Sequence, residues 1–186
     1  MVRLKRNLKF AVTALVVSVA PLSAQEGTPD RLADLFAALQ VAEGDDALQI
    51  ASKIVEEWSR SGSATMDFLL RRGRDALEAG DTTQAIGHLT ALVDHAPDFA
   101  EGYNARATAF FQARKYGPAL DDIRTTLALN PRHFGAMTGL AIMLEEIDEP
   151  VAALMAWREV RRYYPASPEA QNAIPRLERE VEGSTL

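Results

Sequence analysis

His88 and His95 stand two helical turns apart on one expected helix, so their imidazoles share a face. A zinc-type site would need further ligands beside them. None is evident, and His133 falls just past Pro131 in an expected turn, so all three histidines read as solvated. A nucleophile beside a base, a glycine-rich phosphate loop and a metal-ligand pair are each missing in recognisable form. With no cysteine, thiol catalysis and cysteine-based metal sites are excluded. Aspartate and glutamate total 26, and on helices such carboxylates are mostly solvated surface. The residues therefore offer no catalytic group and no cofactor, and the chemistry left is recognition. Arg158, Arg161 and Arg162, with Tyr163 and Tyr164, form a basic–aromatic patch expected on the exposed face of a helix. Trp58 and Trp157 take large-apolar helix positions and read as core.

The elements that carry these residues repeat. Ala51, Ala85, Ala119 and Ala153 recur at one constant interval, and two further columns keep the same interval: Leu39, Gly73, Ala107 and Ala141, and Ser63, Pro97, Pro131 and Pro165. Small residues at two phases let paired helices approach closely. Proline at a third lacks an N–H and ends the second helix of each pair. Such a period marks stacked helix–turn–helix units. The chain has 186 residues, 47% of them hydrophobic and 7% aromatic, and its alanine-rich mix favours helix over strand.

Residues 1–24 read as a signal peptide. Arg3, Lys5, Arg6 and Lys9 precede an apolar run from Phe10 to Ala20, and a small residue, Ala24, marks the expected cleavage point. The run is little more than half of the roughly 20 residues a spanning helix needs. Cleavage would leave 16 basic against 26 acidic residues, a net charge of −10. An acidic chain without a basic stripe is a poor partner for nucleic acid or anionic lipid. The expected compartment is the periplasm, or secretion, with no membrane insertion of the mature chain.

Residues 25–63 read as a leader and a degenerate leading helix pair. Three fuller repeats follow over 64–167, at 66–99, 100–133 and 134–167, with turns near Gly80, Lys115 and Glu149. Residues 168–186 hold a capping helix and tail. Ala170, Ile174, Leu177 and Val181 make one apolar stripe, and Pro175 is expected to kink or split the helix.

The repeats resemble tetratricopeptide repeats. In the second, Tyr103, Ala107, Phe110, Ala119, Ile123 and Pro131 match the family pattern; in the third, Leu140, Ala141, Leu144, Ala153, Trp157 and Pro165 do; in the first, Gly73, Ala85, Leu89, Leu92 and Pro97. The resemblance implies an all-α solenoid of antiparallel helix pairs with a C-terminal capping helix. It also implies a concave groove lined by the first helix of each repeat. The groove residues it assigns as a partner-binding surface are Arg71, Arg74, Glu101, Asn104, Thr108, Phe111, Gly135, Thr138, Gly139 and Ile142. Leu70, Gly135 and Gly139 stand where some members carry the basic residues that clamp a carboxylate, so that clamp is absent. Arg71, Arg74 and Asn104 remain as candidate carboxylate contacts. The implied function is a non-enzymatic scaffold or adaptor in the cell envelope that binds another protein or peptide. The alternatives are a chaperone-like assembly factor of the cytochrome-maturation type and, further off, a small-ligand binder or enzyme.

Overall fold

Two columns of small residues decide how the helices pair. Ala85, Ala119 and Ala153 are 0% exposed, and Gly73, Ala107 and Ala141 are buried opposite them. The closeness they permit is measurable at Gly73, where an added Cβ would lie 2.5 Å from Leu89 Cγ and Cδ2. The computed structural model describes residues 31–183; the expected signal peptide, residues 25–30 and the last three residues lie outside the described residues.

The described residues are all-α, with no strand. Three antiparallel pairs form the repeats: α3 (Ala64–Glu78) with α4 (Thr82–His95), α5 (Ala100–Gln112) with α6 (Tyr116–Leu129), and α7 (Phe134–Glu146) with α8 (Pro150–Tyr163). They are preceded by α1 (Arg31–Leu39) and α2 (Gly44–Trp58) and followed by α9 (Pro168–Gly183). α4 packs on α5 and α6 on α7, so the pairs stack in a solenoid, and α3, α5 and α7 lie side by side. The turn inside each pair repeats one backbone device at the interval of the repeat: Gly80, Arg114 and Asp148 all have positive φ, at 75°, 59° and 63°. Glycine adopts this conformation freely, whereas arginine and aspartate do so at a cost.

α9 covers the open end. Ala170, Ala173, Ile174 and Leu177 pack against Ala153, Ala156, Trp157 and Val160 of α8. Ser167 Oγ accepts the Ala170 N–H and caps the helix start. α9 is one continuous helix through Pro175, rather than the split helix the sequence allowed.

The first helix pair departs most from expectation. In register with the repeats, it should stack on α3 and α4. Instead the α1–α2 hairpin clusters Phe36, Leu39, Ala47, Ala51 and Ile54 with Phe134 and Tyr164, far along the chain. It lies along the loops that follow the second and third repeats' second helices, at Arg132 and His133 and at Tyr164 and Ala166. The apolar side of α3 is filled from its own repeat and the following one. The in-phase Ala51 serves packing inside the hairpin, which the spacing alone cannot distinguish from packing on a neighbouring repeat.

Candidate functional site

The groove side of the solenoid is built by α3, α5 and α7, each positioned by its second helix. At one end of this surface, charged residues join into a closed ring. Arg74 on α3 donates to Ser59 Oγ just past α2 and to the Glu101 carboxylate on α5. Glu101 Oε2 lies 2.7 Å from His133 Nε2 at the start of α7. His133 stacks on Trp58, the neighbour of Ser59, with ring centroids 4.3 Å apart and 23° between planes. The ring therefore runs from the hairpin to α3, α5 and the N-cap of α7 and back to the hairpin.

Its electrostatics are specific. Glu101 is 4% exposed and His133 2%. The Ala136 N–H donates to His133 Nδ1, which places the ring proton on Nε2, facing Glu101. Burial pushes the Glu101 carboxyl toward protonation, but the hydrogen bond from His133 and the charges around it, Arg74 among them, outweigh burial and hold its pKa below the ordinary glutamate value. Asn104 Nδ2 adds a longer contact to the same carboxylate. His133 is thus no solvated turn residue: it caps α7 and fills the ring. The sequence hid it because a histidine after proline reads as an exposed turn.

The assigned groove residues divide in two. Arg74 and Glu101 are committed inside the chain, and Gly135 lies against His133. Arg74 has no free fork for an external carboxylate. Arg71 remains exposed, its guanidinium 5.6 Å from the Phe68 ring centre. The others form an accessible strip: Asn104, Thr108 and Phe111 on α5, and Thr138, Gly139 and Ile142 on α7, with Ile142 38% exposed. Phe111 packs edge-on against Tyr116. Neither groove glycine is forced by close packing. A Cβ at Gly139 would lie 3.7 Å from Ile123 Cδ1, and one at Gly135 would lie 3.4 Å from His133 Cε1. Gly73 is the opposite case.

The basic–aromatic patch on α8 does not hold together as one surface. Tyr164 is buried under the hairpin, Arg158 pairs with Glu178 of α9 at 2.8 Å, and the Arg162 and Tyr163 carbonyls accept from Gln40. Trp157 is buried as the sequence implied and donates to Glu145 at 2.6 Å, whereas Trp58 is only part-buried at the edge of the hairpin's cluster. A second ion pair escaped sequence reasoning. Arg106 grips Asp122 through two bonds of 2.7 and 2.8 Å, joining α5 to α6. The hydrogen bond to Asp122 raises the Arg106 pKa further. Among the described residues no cluster of three or more His, Asp or Glu is placed to hold a metal, and no helix is long and apolar enough to cross a membrane.

No family model matches the chain. A TPR repeat-containing protein of Rhizobium etli is 34% identical over 169 residues, covering 90% of this chain and 83% of that protein. Among solved structures, the first TPR of Spaghetti bound to the HSP90 peptide SRMEEVD has a TM-score of 0.61 at 22% identity, over 64% of this chain and 95% of that one. The Sgt2 TPR domain from Aspergillus fumigatus has a TM-score of 0.62 at 18% identity, over 66% and 83%. A thermophilic TPR protein of Thermus thermophilus has a TM-score of 0.56 at 19% identity, over 74% of each chain. The structural likenesses establish the fold. Taken with the relative that spans nine-tenths of the chain and with the three in-phase helix pairs, they place this protein in the tetratricopeptide-repeat family.

Proposed function

We propose that this protein is a non-enzymatic scaffold of the cell envelope, exported by its N-terminal segment, that binds a protein or peptide along the strip between Asn104 and Ile142. The carrying observation is the helical glycine on that strip, Gly139. It costs about 1 kcal/mol of helix stability against alanine, yet the space around it admits a Cβ. A smooth backbone is useful where another chain must come close. One solved neighbour holds a short acidic peptide, SRMEEVD. Here the arginine best placed for a carboxylate, Arg74, is already bound to Glu101. A partner that meets hydroxyl, amide and apolar groups therefore suits this strip better than an acidic tail.

The test pairs two variants with crosslinked affinity purification from the native envelope. Gly139→Gln should lose the captured partner while keeping or raising the melting temperature, and Arg161→Gln on α8 should retain it. Normal capture by Gly139→Gln with loss in Arg161→Gln would move the site off the groove. Capture of many unfolded clients or C-terminal peptides, in place of one stoichiometric partner, would favour a chaperone-like assembly role. Export is tested separately, by mass spectrometry of the mature protein: a soluble chain beginning at Gln25 is expected, and residues 1–24 retained in a membrane fraction would overturn it.

A further inference from the structure

In a stacked-repeat array each unit touches only its neighbours, so total curvature is a sum of small rotations that nothing fixes from end to end. Here one element reaches across several units. The hairpin meets repeat one through Ser59 and Arg74. It meets repeat three through Trp58 on His133 and through Phe36 against Phe134, with ring centroids 6.4 Å apart. Gln40 donates to the carbonyls of Arg162 and Tyr163 at the end of α8. Its turn shares a cavity of about 610 Å³ with Pro165, Pro168 and Gln171 at the start of α9.

We propose that the α1–α2 hairpin is a detachable strap that sets the curvature of the three repeats, and so the width of the groove, with the ring through Ser59, Arg74, Glu101, His133 and Trp58 as its catch. Two features mark it as separable. Its connection to α3 is the short segment 59–63, in which Gly62 has φ of 80°. Its apolar face is buried on Phe134 and Tyr164 and not on α3. The catch, by contrast, lies where α3, α5, the N-cap of α7 and the strap converge, so a change in strap position reaches all three helices.

The chain has no cysteine, which makes site-directed labelling clean. Spin labels at Arg72→Cys on α3 and Arg179→Cys on α9 report the end-to-end distance of the solenoid by electron–electron resonance. Phe36→Asp places a charge in the docked face, and Gln40→Glu, a milder change, turns a carboxylate toward the two α8 carbonyls. Helicity by circular dichroism and hydrogen exchange in α1 and α2 accompany each measurement. The strap predicts a narrow distance distribution in the parent. It predicts a broadened one with a shifted maximum in at least one of the two variants, with helicity kept and α1–α2 exchange raised. Distributions matching the parent in both variants would overturn it. So would loss of the repeats' helicity in both, which would make the hairpin an inseparable part of the core.

Discussion

Trp58 stacks on His133 with ring centroids 4.3 Å apart although the two are remote in sequence, so a residue at the end of the α1–α2 hairpin is packed on the N-cap of α7. This contact does what the repeat periodicity does not. It joins parts of the solenoid that are not neighbours in the stack.

Trp58→Ala removes that face while leaving every repeat's own core intact. Because the ring is only part-buried, the cost should be about 2–4 kcal/mol, at or below the usual range for a buried aromatic. Urea unfolding at neutral pH measures it. A change no larger than about 0.5 kcal/mol, the size expected of an ordinary surface substitution, would show that the stack carries little of the docking energy.

Glu101→Gln should destabilise the protein by about 1–3 kcal/mol at neutral pH, because Arg74 and His133 lose the carboxylate they face. The sign with pH follows from the lowered pKa of Glu101. Its contribution is present above the ordinary glutamate value of 4.5 and is lost as pH falls through the lower folded value. The gap between parent and variant should therefore be largest near neutrality and close in acid. A gap that is constant from pH 7 to pH 3 would contradict the ring's electrostatics.

Two glycines should respond in opposite directions. Gly73→Ala drives a Cβ into Leu89 and should cost about 1–3 kcal/mol, since overpacking a tight helix pair forces side chains from their minima. Gly139→Ala has room and should gain up to about 1 kcal/mol. Thermal melts of the two side by side decide it. Equal destabilisation would make both glycines packing residues and remove the support for a smooth groove strip.

Arg114→Gly should stabilise the turn of the second repeat by about 0.5–1 kcal/mol, because glycine takes the left-handed conformation without the steric cost arginine bears. The side chain's bonds to Tyr116 and Glu146 are exposed and offset little of this. A fall in melting temperature would mean those surface bonds outweigh the backbone.

The repeats were legible because their signal is local. Ala85, Ala119 and Ala153 recur at one phase, and each is wholly buried for the same reason. Pro97, Pro131 and Pro165 end second helices where the missing N–H requires it. The hairpin's place was not legible, because it depends on Phe36, Trp58, Phe134 and Tyr164 meeting across the fold. Nothing in the spacing of two short amphipathic helices says which distant surface they cover. Of the assigned groove residues, Asn104, Thr108, Phe111, Thr138, Gly139 and Ile142 lie on the accessible strip. The inward commitment of Arg74 and Glu101 turns on His133, whose burial only the docked hairpin reveals.

Gln40 and Tyr163 are held together over 123 positions of chain. A ribosome releases the hairpin before the repeats, yet its docking surface is complete only when Tyr164 has been made. The hairpin is thus made before the repeats and finds its place after them. Closing so long a loop carries an entropic cost that the local helix pairs avoid, so the repeats can form before the hairpin docks. Until then Phe36, Ile54 and Trp58 lie uncovered on a nascent chain. That stretch, made before the surface it covers, is then the one most in need of protection from premature association.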